Sequence, residues 1–501
     1  MLNKKLNVCL MNDSFPPVID GVANVMMNYA QIISDGLGSA AVVTPGGYGG
    51  VSDNYPFDVK RYRSLNITER MCGYRMGYPF SSSMLDELAE KEFDIIHSHC
   101  PFASTVMARV LREKTNVPIV MTYHTKFDVD IKRALPNEAM AHAAIKFVLG
   151  NIAACDEVWT VSRGAGENLR SLGYEGDFVV MENGVDLPKG RADKDAVAEL
   201  RHDYDIPDDT VLFLFVGRLL WYKGIRLILD ALKIINEKGL KFCMMFVGDG
   251  LDRQEIEDYA DALGLFDRCV FTGAVSDREE LRVYYSAGEL FLFPSEYDTN
   301  GIVVREAAAC GTGSLLLEGS CAAEGITDGH TGILCAADPQ AVAKKLEFAV
   351  SHRAELRQIG EHAMEEIYIS WETSVKRAYE RYYTVIENCM SGKTGRRERI
   401  LHEEFFRVMD SITDGIQQFR SIPAEIREKR GRSMKRKIMP IPEGFSEEDI
   451  KIESSVCTGE KTIGFYNRVD GHLMFEELVR GEDDISAFYK KYGLEYKGEA
   501  L

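Results

Sequence analysis

Short, continuous apolar runs alternate with helix-like segments along most of this chain, and that alternation limits the folds open to it. The runs of the first half are Leu6–Met11, Ala40–Thr44, Asp94–His99, Pro118–Thr125, Glu157–Ser162 and Phe178–Glu182. Those of the second half are Val211–Gly217, Phe242–Gly248, Cys269–Gly273, Leu290–Pro294 and Ser314–Glu318. Strands that are apolar on both faces are typical of parallel sheets covered by helices on each side. The alternation therefore predicts an α/β fold with two Rossmann-like, doubly wound domains.

A polar, irregular stretch from Val185 to Asp209 interrupts the alternation and is predicted to join the two domains. The domains then occupy residues 1–186 and 187–370, and a long helical pattern, Trp371–Met390, is expected to close the second. In open α/β sheets, ligands bind beyond the carboxyl ends of the strands. We therefore expect the two domains to face each other across one cleft, lined by the loops that follow the strands.

Residues 391–501 form a C-terminal extension with a different sequence pattern. Apolar residues at helical spacing between Leu401 and Phe419 predict an amphipathic helix. The run Glu425–Lys437 carries seven basic residues against two acidic ones, which fits an anionic membrane surface or another polyanion, or else a solvated helix end and linker. Further on, apolar runs that include TIGFY and HLMFEELV indicate a small appended subdomain.

Composition excludes several classes of protein. A net charge of −19 argues against a nucleic-acid-binding protein. No apolar run is long enough to span a membrane, and the N-terminal apolar stretch is too short for a signal peptide. The eleven cysteines include no C-x-x-C pair, so we expect free thiols and a cytoplasmic location.

The stretch Phe293–Gly311 brings two carboxylates, Asp298 and Glu306, around one turn between a strand and a helix. Backbone N–H groups in the first turn of a helix have no intrahelical acceptor and suit an anionic or oxygen-rich ligand. The candidate donors here are those of Asn300, Gly301, Ile302 and Val303. The alternative is that Asp298 is a turn or cap residue and Glu306 a solvated helix position.

Arg218 and Lys223 lie five residues apart on the loop that follows the strand Val211–Gly217. A guanidinium fork and a compact ammonium at this position form a clamp suited to a diphosphate, although two surface cations are an alternative. Gly248 follows the next strand, where the lack of a side chain would allow the backbone to approach a ligand closely.

The ordered set of motifs resembles a retaining glycosyltransferase of the GT-B fold, in the large family 4, over roughly residues 5 to 390. The motifs are Asn12–Ala23, His97–His99, Tyr123–Thr125, Glu182–Asp186, Gly217–Gly224, Val247–Gly250, Phe271–Val275 and Pro294–Gly311. The resemblance implies that the first domain binds an acceptor and the second a nucleotide sugar. Because the cations of Arg218 and Lys223 would make a metal redundant, we expect neither a metal nor another cofactor.

The same resemblance implies a role for each candidate residue. Arg218 and Lys223 would hold the donor diphosphate, and Glu306 would accept hydrogen bonds from the ribose. Asp298, with the amides of Gly301, Ile302 and Val303, would hold the transferred sugar. His124 would lie beside the sugar and phosphate, and Gly21 in the loop that closes over the phosphates.

Some positions depart from the usual family pattern. Asp298 stands where the family usually has Glu, and Cys310–Gly313 lacks the usual proline. Asp298-Thr299 and the run Tyr123–Asp128 resemble branches that glycosylate diacylglycerol. We therefore expect UDP-glucose as donor and a lipid acceptor at the inner face of the cell membrane, with peripheral contact through residues 400–437.

Other interpretations stay open at this point. The acceptor is alternatively a soluble molecule or a polysaccharide, and the chain is alternatively a nucleotide-sugar epimerase or an inactive sugar-nucleotide-binding module. Two D-x-D triplets, Asp128–Asp130 and Asp203–Asp205, match a metal-binding pattern of other glycosyltransferases, but we interpret both as structural. His97 and His99 alternate along one strand, which favours one packed and one cleft-facing side chain over a metal site.

Overall fold

The computed structural model describes residues 4–18, 20–48, 53–66, 75–134, 137–392, 440–442, 444–454, 461–467, 472–479, 482–492 and 494. The chain divides into two compact units, Met1–Ser411 and Ile412–Leu501. The predicted amphipathic helix between Leu401 and Phe419 and the basic run up to Lys437 lie outside the described residues, as does the rest of the predicted 400–437 membrane contact.

The first unit contains two parallel sheets, as the apolar runs predicted. The first sheet has the order β3-β2-β1-β6-β7-β8-β9, and every neighbouring pair is parallel. Its strands are β1 Asn7–Met11, β2 Ser39–Pro45, β3 Asp58–Tyr62, β6 Ile95–Ser98, β7 Ile119–Tyr123, β8 Glu157–Thr160 and β9 Val179–Val180, and an antiparallel pair, β4 Ser64–Asn66 and β5 Arg75–Gly77, stands beside it. The helices of this half are α1 Gly21–Ile32, α2 Ser82–Ala89, α3 Ala103–Thr115, α4 Phe127–Ala134, α5 Glu138–Ala153 and α6 Arg163–Ser171.

The second sheet has the order β12-β11-β10-β13-β14-β15, again with parallel neighbours throughout. Its strands are β10 Val211–Val216, β11 Phe242–Val247, β12 Cys269–Gly273, β13 Leu290–Leu292, β14 Ser314–Leu317 and β15 Ile333–Cys335. The helices of this half are α7 Lys194–Asp203, α8 Ile225–Glu237, α9 Arg253–Ala262, α10 Arg278–Ala287, α11 Ile302–Ala309, α12 Pro339–Ser351 and α13 Arg353–Glu366. The predicted fold class, two doubly wound α/β halves, is confirmed.

The long helix α14, Trp371–Met390, corrects one expectation. It was predicted to close the second domain, but its buried residues pack in the core of the first sheet. Tyr382 contributes a hydroxyl 2.6 Å from Nδ1 of His97, and the Tyr379 hydroxyl donates to the Leu37 carbonyl and accepts from the Leu6 amide. The aromatic stripe of α14 therefore completes the first half of the chain.

The chain crosses between the two halves twice, and the crossings lie side by side. Val185 on the first crossing forms a parallel bridge with Ser370 on the second, and its amide donates to the Ile369 carbonyl at 3.0 Å. A Cβ on Gly184 would lie 2.4 Å from the Trp371 nitrogen, so the close approach requires glycine there. The stretch predicted as an irregular junction also contains helix α7, which Asp193 caps by accepting from the Asp195 amide.

In each sheet the strand order reverses beside the first strand of that half. Strands β1 and β6 are neighbours in the first sheet, and β10 and β13 are neighbours in the second. At such a switch point the loops after the two strands separate and leave a crevice at their carboxyl ends. The loops after β10 and β13 carry Lys223 and Asp298, so the topology brings these two distant residues together.

The second unit is a separate small fold. Strands β16 Ile450–Ser454, β17 Lys461–Asn467 and β18 His472–Val479 form an antiparallel sheet in that order, and helix α15, Glu482–Lys491, follows. Phe465 and Phe488 are fully buried in its core. The runs TIGFY and HLMFEELV, which indicated a small appended subdomain, lie in β17 and β18.

Candidate functional site

Lys223 lies on the loop between β10 and α8, and the shape of that loop depends on Gly224. The backbone of Gly224 has φ +83°, and a Cβ there would lie 2.1 Å from the carbonyl oxygen of Pro294. The loops after β10 and β13 are therefore in backbone contact. This contact brings the Lys223 ammonium to 2.9 Å from Oδ2 of Asp298.

Asp298 is the centre of the second loop. Its Oδ1 accepts from the amides of Asn300 and Gly301, at 3.1 and 2.6 Å, while Oδ2 faces Lys223. Burial raises the pKa of the Asp298 carboxyl, but Lys223 and the two amides outweigh it, so the net pKa lies below its ordinary value. Two of the amides predicted as free donors are thus occupied by Asp298 itself, because a short carboxylate reaches the amides two and three residues ahead. Ile302 and Val303 lie in the first turn of α11, where an amide has no intrahelical acceptor.

Arg218 lies on the same loop as Lys223, and its guanidinium is 3.3 Å from the Tyr222 hydroxyl. The structure therefore places both predicted clamp residues at the crevice.

Gly248 has a different reason to be glycine from the one predicted. A Cβ there would lie 2.0 Å from the Gly217 carbonyl oxygen, so the close approach is to the protein's own backbone.

Glu306 lies in α11, as predicted, and is almost fully buried. Its Oε1 accepts from the Arg278 guanidinium at 2.7 Å, and its Oε2 accepts from the Tyr285 hydroxyl at 2.8 Å. Burial and the neighbouring carboxylate raise the pKa of Tyr285 well above its ordinary value, so Tyr285 stays a donor. The sequence interpretation identified Glu306 but neither of these partners.

Arg278 also reaches the first crossing between the halves. Its Nη2 lies 3.2 Å from Oδ2 of Asp186, and Asp186 accepts in addition from the side-chain amides of Asn24 and Asn28 on α1. Asp186 belongs to a motif that the sequence already marked, Glu182–Asp186. Arg278 had no comparable signal, because an Arg in the first turn of a helix is ordinary.

Three buried histidines lie at the carboxyl edge of the first sheet. His124 contributes Nε2 at 2.9 Å from Nδ1 of His99, and His97 lies between the Tyr382 and Thr122 hydroxyls. Burial lowers the pKa of all three, that of His124 to about 4 even though Asp20 opposes the shift. Contrary to the sequence expectation of one packed and one cleft-facing side chain, both His97 and His99 are buried.

Gly21 is the first residue of α1, and the preceding Asp20 caps this helix by accepting from the Ala23 amide at 2.7 Å. A Cβ on Gly21 would meet no heavy atom within 4 Å, so there is open space at this helix start. The structure therefore places Gly21 at a helix N-terminus, where the predicted role beside phosphates stays a prediction.

The loop after β13 also contacts the first half of the chain. The Thr299 hydroxyl donates to the His124 carbonyl at 2.7 Å, and the Ser162 hydroxyl donates to the Thr299 carbonyl at 2.6 Å. Glu324 accepts from the amides of Arg163 and Gly164 at the start of α6, at 2.6 and 2.5 Å. The loop after β13 and Glu324, which follows β14, therefore both link the second half of the chain to the first.

Within the described residues, no group of three or more His, Cys, Asp and Glu side chains is arranged to hold a metal ion. In the same part of the chain, no helix is long and apolar enough to cross a membrane. The side-chain amide of Asn300 is buried and has no hydrogen-bond partner within that part.

Two family models match this chain. One, described as "Glycosyl transferases group 1", matches residues 197–366, and the other, described as "Glycosyltransferase Family 4", matches residues 19–189. Each model therefore covers most of one α/β half.

Two relatives and one solved structure illustrate what this chain is similar to. The chain is 24% identical over 318 residues to an alpha-monoglucosyldiacylglycerol synthase of Streptococcus pneumoniae, which covers 62% of this chain and 71% of that protein. It is 25% identical over 323 residues to the sulfoquinovosyl transferase SQD2 of Arabidopsis thaliana, where it spans 59% of the relative. A crystal structure of Anabaena Alr3699/HepE in complex with UDP and glucose matches with a TM-score of 0.60 and 17% identity, over 76% of this chain and all of that one. At that identity the likeness concerns the fold, which is GT-B.

Proposed function

Because the chain belongs to the glycosyltransferases that the group 1 and family 4 models describe, we propose that it is a retaining enzyme that transfers glucose from UDP-glucose to a membrane lipid such as diacylglycerol. The observation that carries this proposal is the arrangement at the second switch point, where Lys223, Asp298 and the first turn of α11 converge. Cations and free helix amides suit a diphosphate, and carboxylates suit hydroxyl groups.

The leaving group determines what the cations do in this proposal. Cleavage of the bond between the sugar C1 and the phosphate oxygen leaves negative charge on the diphosphate. Lys223 has three donors, of which one bonds Asp298, so the others remain for phosphate oxygens. Arg218 adds a second cation from the same loop. Fixed positive charge at this position lowers the barrier because the charge it stabilises develops only as the bond breaks.

Binding and orientation fall to the other residues. Glu306 accepts from the ribose hydroxyls, and the amides of Ile302 and Val303 face the donor. Asp298 holds Lys223 and shapes the turn, which differs from the direct sugar contact that the family pattern implies. The acceptor hydroxyl attacks C1 on the face that the diphosphate leaves, and its proton passes to the departing phosphate oxygen. No metal or other cofactor takes part in the proposed reaction.

The acceptor part of the proposal rests on two supports. The relatives named above include a diacylglycerol glycolipid synthase, and the sequence from Tyr123 to Asp128 resembles that branch. A protein of this kind would work at the inner face of the cell membrane as a peripheral protein.

An activity screen tests the proposal. Purified protein is incubated with UDP-, GDP- or ADP-sugars and with diacylglycerol in mixed micelles, and products are separated and their anomeric configuration is read by NMR. We expect a single glucolipid with the anomeric configuration of the donor, formed from UDP-glucose without added metal. An inverted product would contradict the retaining mechanism, and transfer only to soluble or polymeric glycans would contradict the lipid acceptor. Release of an epimeric nucleotide sugar would indicate an epimerase instead.

A further inference from the structure

Arg278 has an unusual position for a partly exposed cation. Its side chain is 42% exposed, yet its Nη2 lies 2.7 Å from a Glu306 side chain that is only 8% exposed. The same nitrogen lies 3.2 Å from Asp186. A guanidinium with two carboxylate partners at these distances is held in one orientation. Arg278 is therefore part of the site's framework, although nothing in its sequence position suggested it.

The contacts of Glu306 leave a defined acceptor capacity. An ionised carboxylate has about four lone-pair directions, two on each oxygen. Arg278 uses one on Oε1, and the buried Tyr285 hydroxyl uses one on Oε2. One direction on each oxygen remains. Two neighbouring hydroxyl groups, as on the 2′ and 3′ carbons of a ribose, match that pair of acceptors.

Without Arg278, the carboxylate would lose its only charged partner among the described contacts. Tyr285 holds Oε2 from the buried side, but a single hydrogen bond leaves the carboxylate free to rotate about the Cγ–Cδ bond. One hydrogen bond to a charged group is worth roughly tenfold or more in affinity. If the two carboxylate oxygens of Glu306 lose their alignment, the binding of a ligand with two neighbouring hydroxyl groups should therefore weaken more than the binding of a ligand with one.

We propose that Arg278 is a positioning residue for nucleotide recognition, which orients Glu306 so that its two free lone pairs accept the vicinal hydroxyls of a ribose. This inference rests on the proposed function, because it specifies how the donor nucleotide is recognised at the same site. It adds a selectivity: ribonucleotides bind in preference to 2′-deoxyribonucleotides, and Arg278 is the origin of that preference.

The test compares ribo- and 2′-deoxyribonucleoside diphosphates by isothermal titration calorimetry on the full-length protein. Of UDP, GDP and ADP, the tightest binder and its 2′-deoxy analogue are used. We expect the wild-type protein to prefer the ribonucleotide by roughly tenfold, the value of one well-made hydrogen bond. In Arg278→Gln the ratio should fall towards one, mainly through weaker ribonucleotide binding. Arg278→Lys, which keeps the charge without the fork, should give an intermediate ratio.

Arg282→Gln is the matched control. Arg282 lies one turn further along α10 and bonds the carbonyls of Gly190 and Arg191 and the carboxylate of Glu279, so it anchors the same helix without a described contact to Glu306. The variant should keep the wild-type ratio even if both affinities fall. Equal loss of the ratio in Arg282→Gln, or an unchanged ratio in Arg278→Gln, would overturn the positioning role while leaving the proposed function intact. A wild-type protein that binds none of UDP, GDP and ADP would contradict the proposed function, and this inference with it.

Discussion

The Asp298 carboxylate has three partners around one turn, and its length explains two of them. With one methylene fewer than Glu, it reaches the Asn300 and Gly301 amides directly ahead in the chain. Its other oxygen is then aimed at Lys223. The pair joins two loops that are 75 residues apart in the chain. The short side chain thus makes Asp298 part of the support of the site.

Replacing Lys223 with Met tests the cation at this position. We expect kcat/KM for sugar transfer to fall by roughly a hundredfold or more, because loss of one fixed charge at a developing anion commonly costs about 3 kcal/mol. Steady-state kinetics with UDP-glucose would measure it. Lys233→Met, at an exposed position on α8, should retain wild-type kinetics. Full activity in Lys223→Met would remove Lys223 from the diphosphate clamp.

The histidine cluster predicts acid lability. Burial holds the pKa of His124 at about 4, against an ordinary value of 6.5. Below pH 6.5 the unfolded chain therefore binds a proton at this histidine, while the folded protein keeps it neutral. The contribution of His124 to the free energy of unfolding is fully present above pH 6.5, and it decreases by about 3 kcal/mol as the pH drops towards 4. Urea unfolding at pH 7 and pH 5 would measure the loss, and His124→Asn should reduce it. Equal free energies of unfolding at the two pH values would contradict the buried neutral state.

At the residue scale, prediction from sequence depended on whether a residue's role was local. Glu306 and Lys223 stand in recognisable strand-turn-helix motifs, so their placement at the crevice followed from the chain alone. Arg278 and Tyr285 meet Glu306 only because α10 and α11 pack together, and no local pattern reports that. The partners of Gly248 and of the Asn300 and Gly301 amides were missed for the same reason, since they are other parts of the backbone and Asp298. Their predicted roles in binding the donor stay predictions.

Among the elements, the turn at Gly224 gives a steric prediction. Gly224→Ala places a methyl group against the Pro294 carbonyl at a positive φ, so we expect a loss of roughly 2–4 kcal/mol in the free energy of unfolding. Gly239→Ala is the control, because Gly239 has a similar φ of +73° but no heavy atom within 4 Å of its Cβ. That variant should lose only about 1 kcal/mol, from backbone strain alone. Urea titration would compare them, and equal losses would show that the clash is relieved.

Two strands that sequence reasoning missed lie at the edges of the two parallel sheets. Strand β3 reads Asp-Val-Lys-Arg-Tyr and lies at the edge of its sheet, where polar residues are tolerated and the apolar signal disappears. Strand β15 is also at an edge and is only three residues long. Central strands, buried on both faces, were found because burial demands continuous apolar character. The destination of α14 was wrong because an amphipathic stripe shows that a helix packs, but not which sheet it packs on.

For the whole molecule, membrane attachment is the prediction that follows from charge. In a chain of net charge −19, the basic residues between Arg427 and Lys437 are the segment suited to anionic lipid. Changing Lys435, Arg436 and Lys437 to Gln in the full chain should weaken binding to phosphatidylglycerol vesicles, measured by co-sedimentation, by roughly a hundredfold, at about 1 kcal/mol for each charge. High salt should have a similar effect.

The matched control changes three exposed lysines elsewhere, Lys194, Lys233 and Lys376, to Gln. Vesicle binding should be unchanged in this variant. Binding that is insensitive to salt and to the first triple variant would exclude electrostatic attachment through the basic run.

The paired crossings at Val185 and Ser370 have a consequence for how the molecule can move and how it can be cut. Two domains joined by one chain segment can rotate about any axis, whereas two segments that lie side by side form a hinge with one preferred axis of rotation. The hydrogen bond from the Val185 amide to the Ile369 carbonyl holds the two segments of this hinge together. A protease that severs either crossing would also leave the two halves attached through the other, so a nicked protein should keep its cleft.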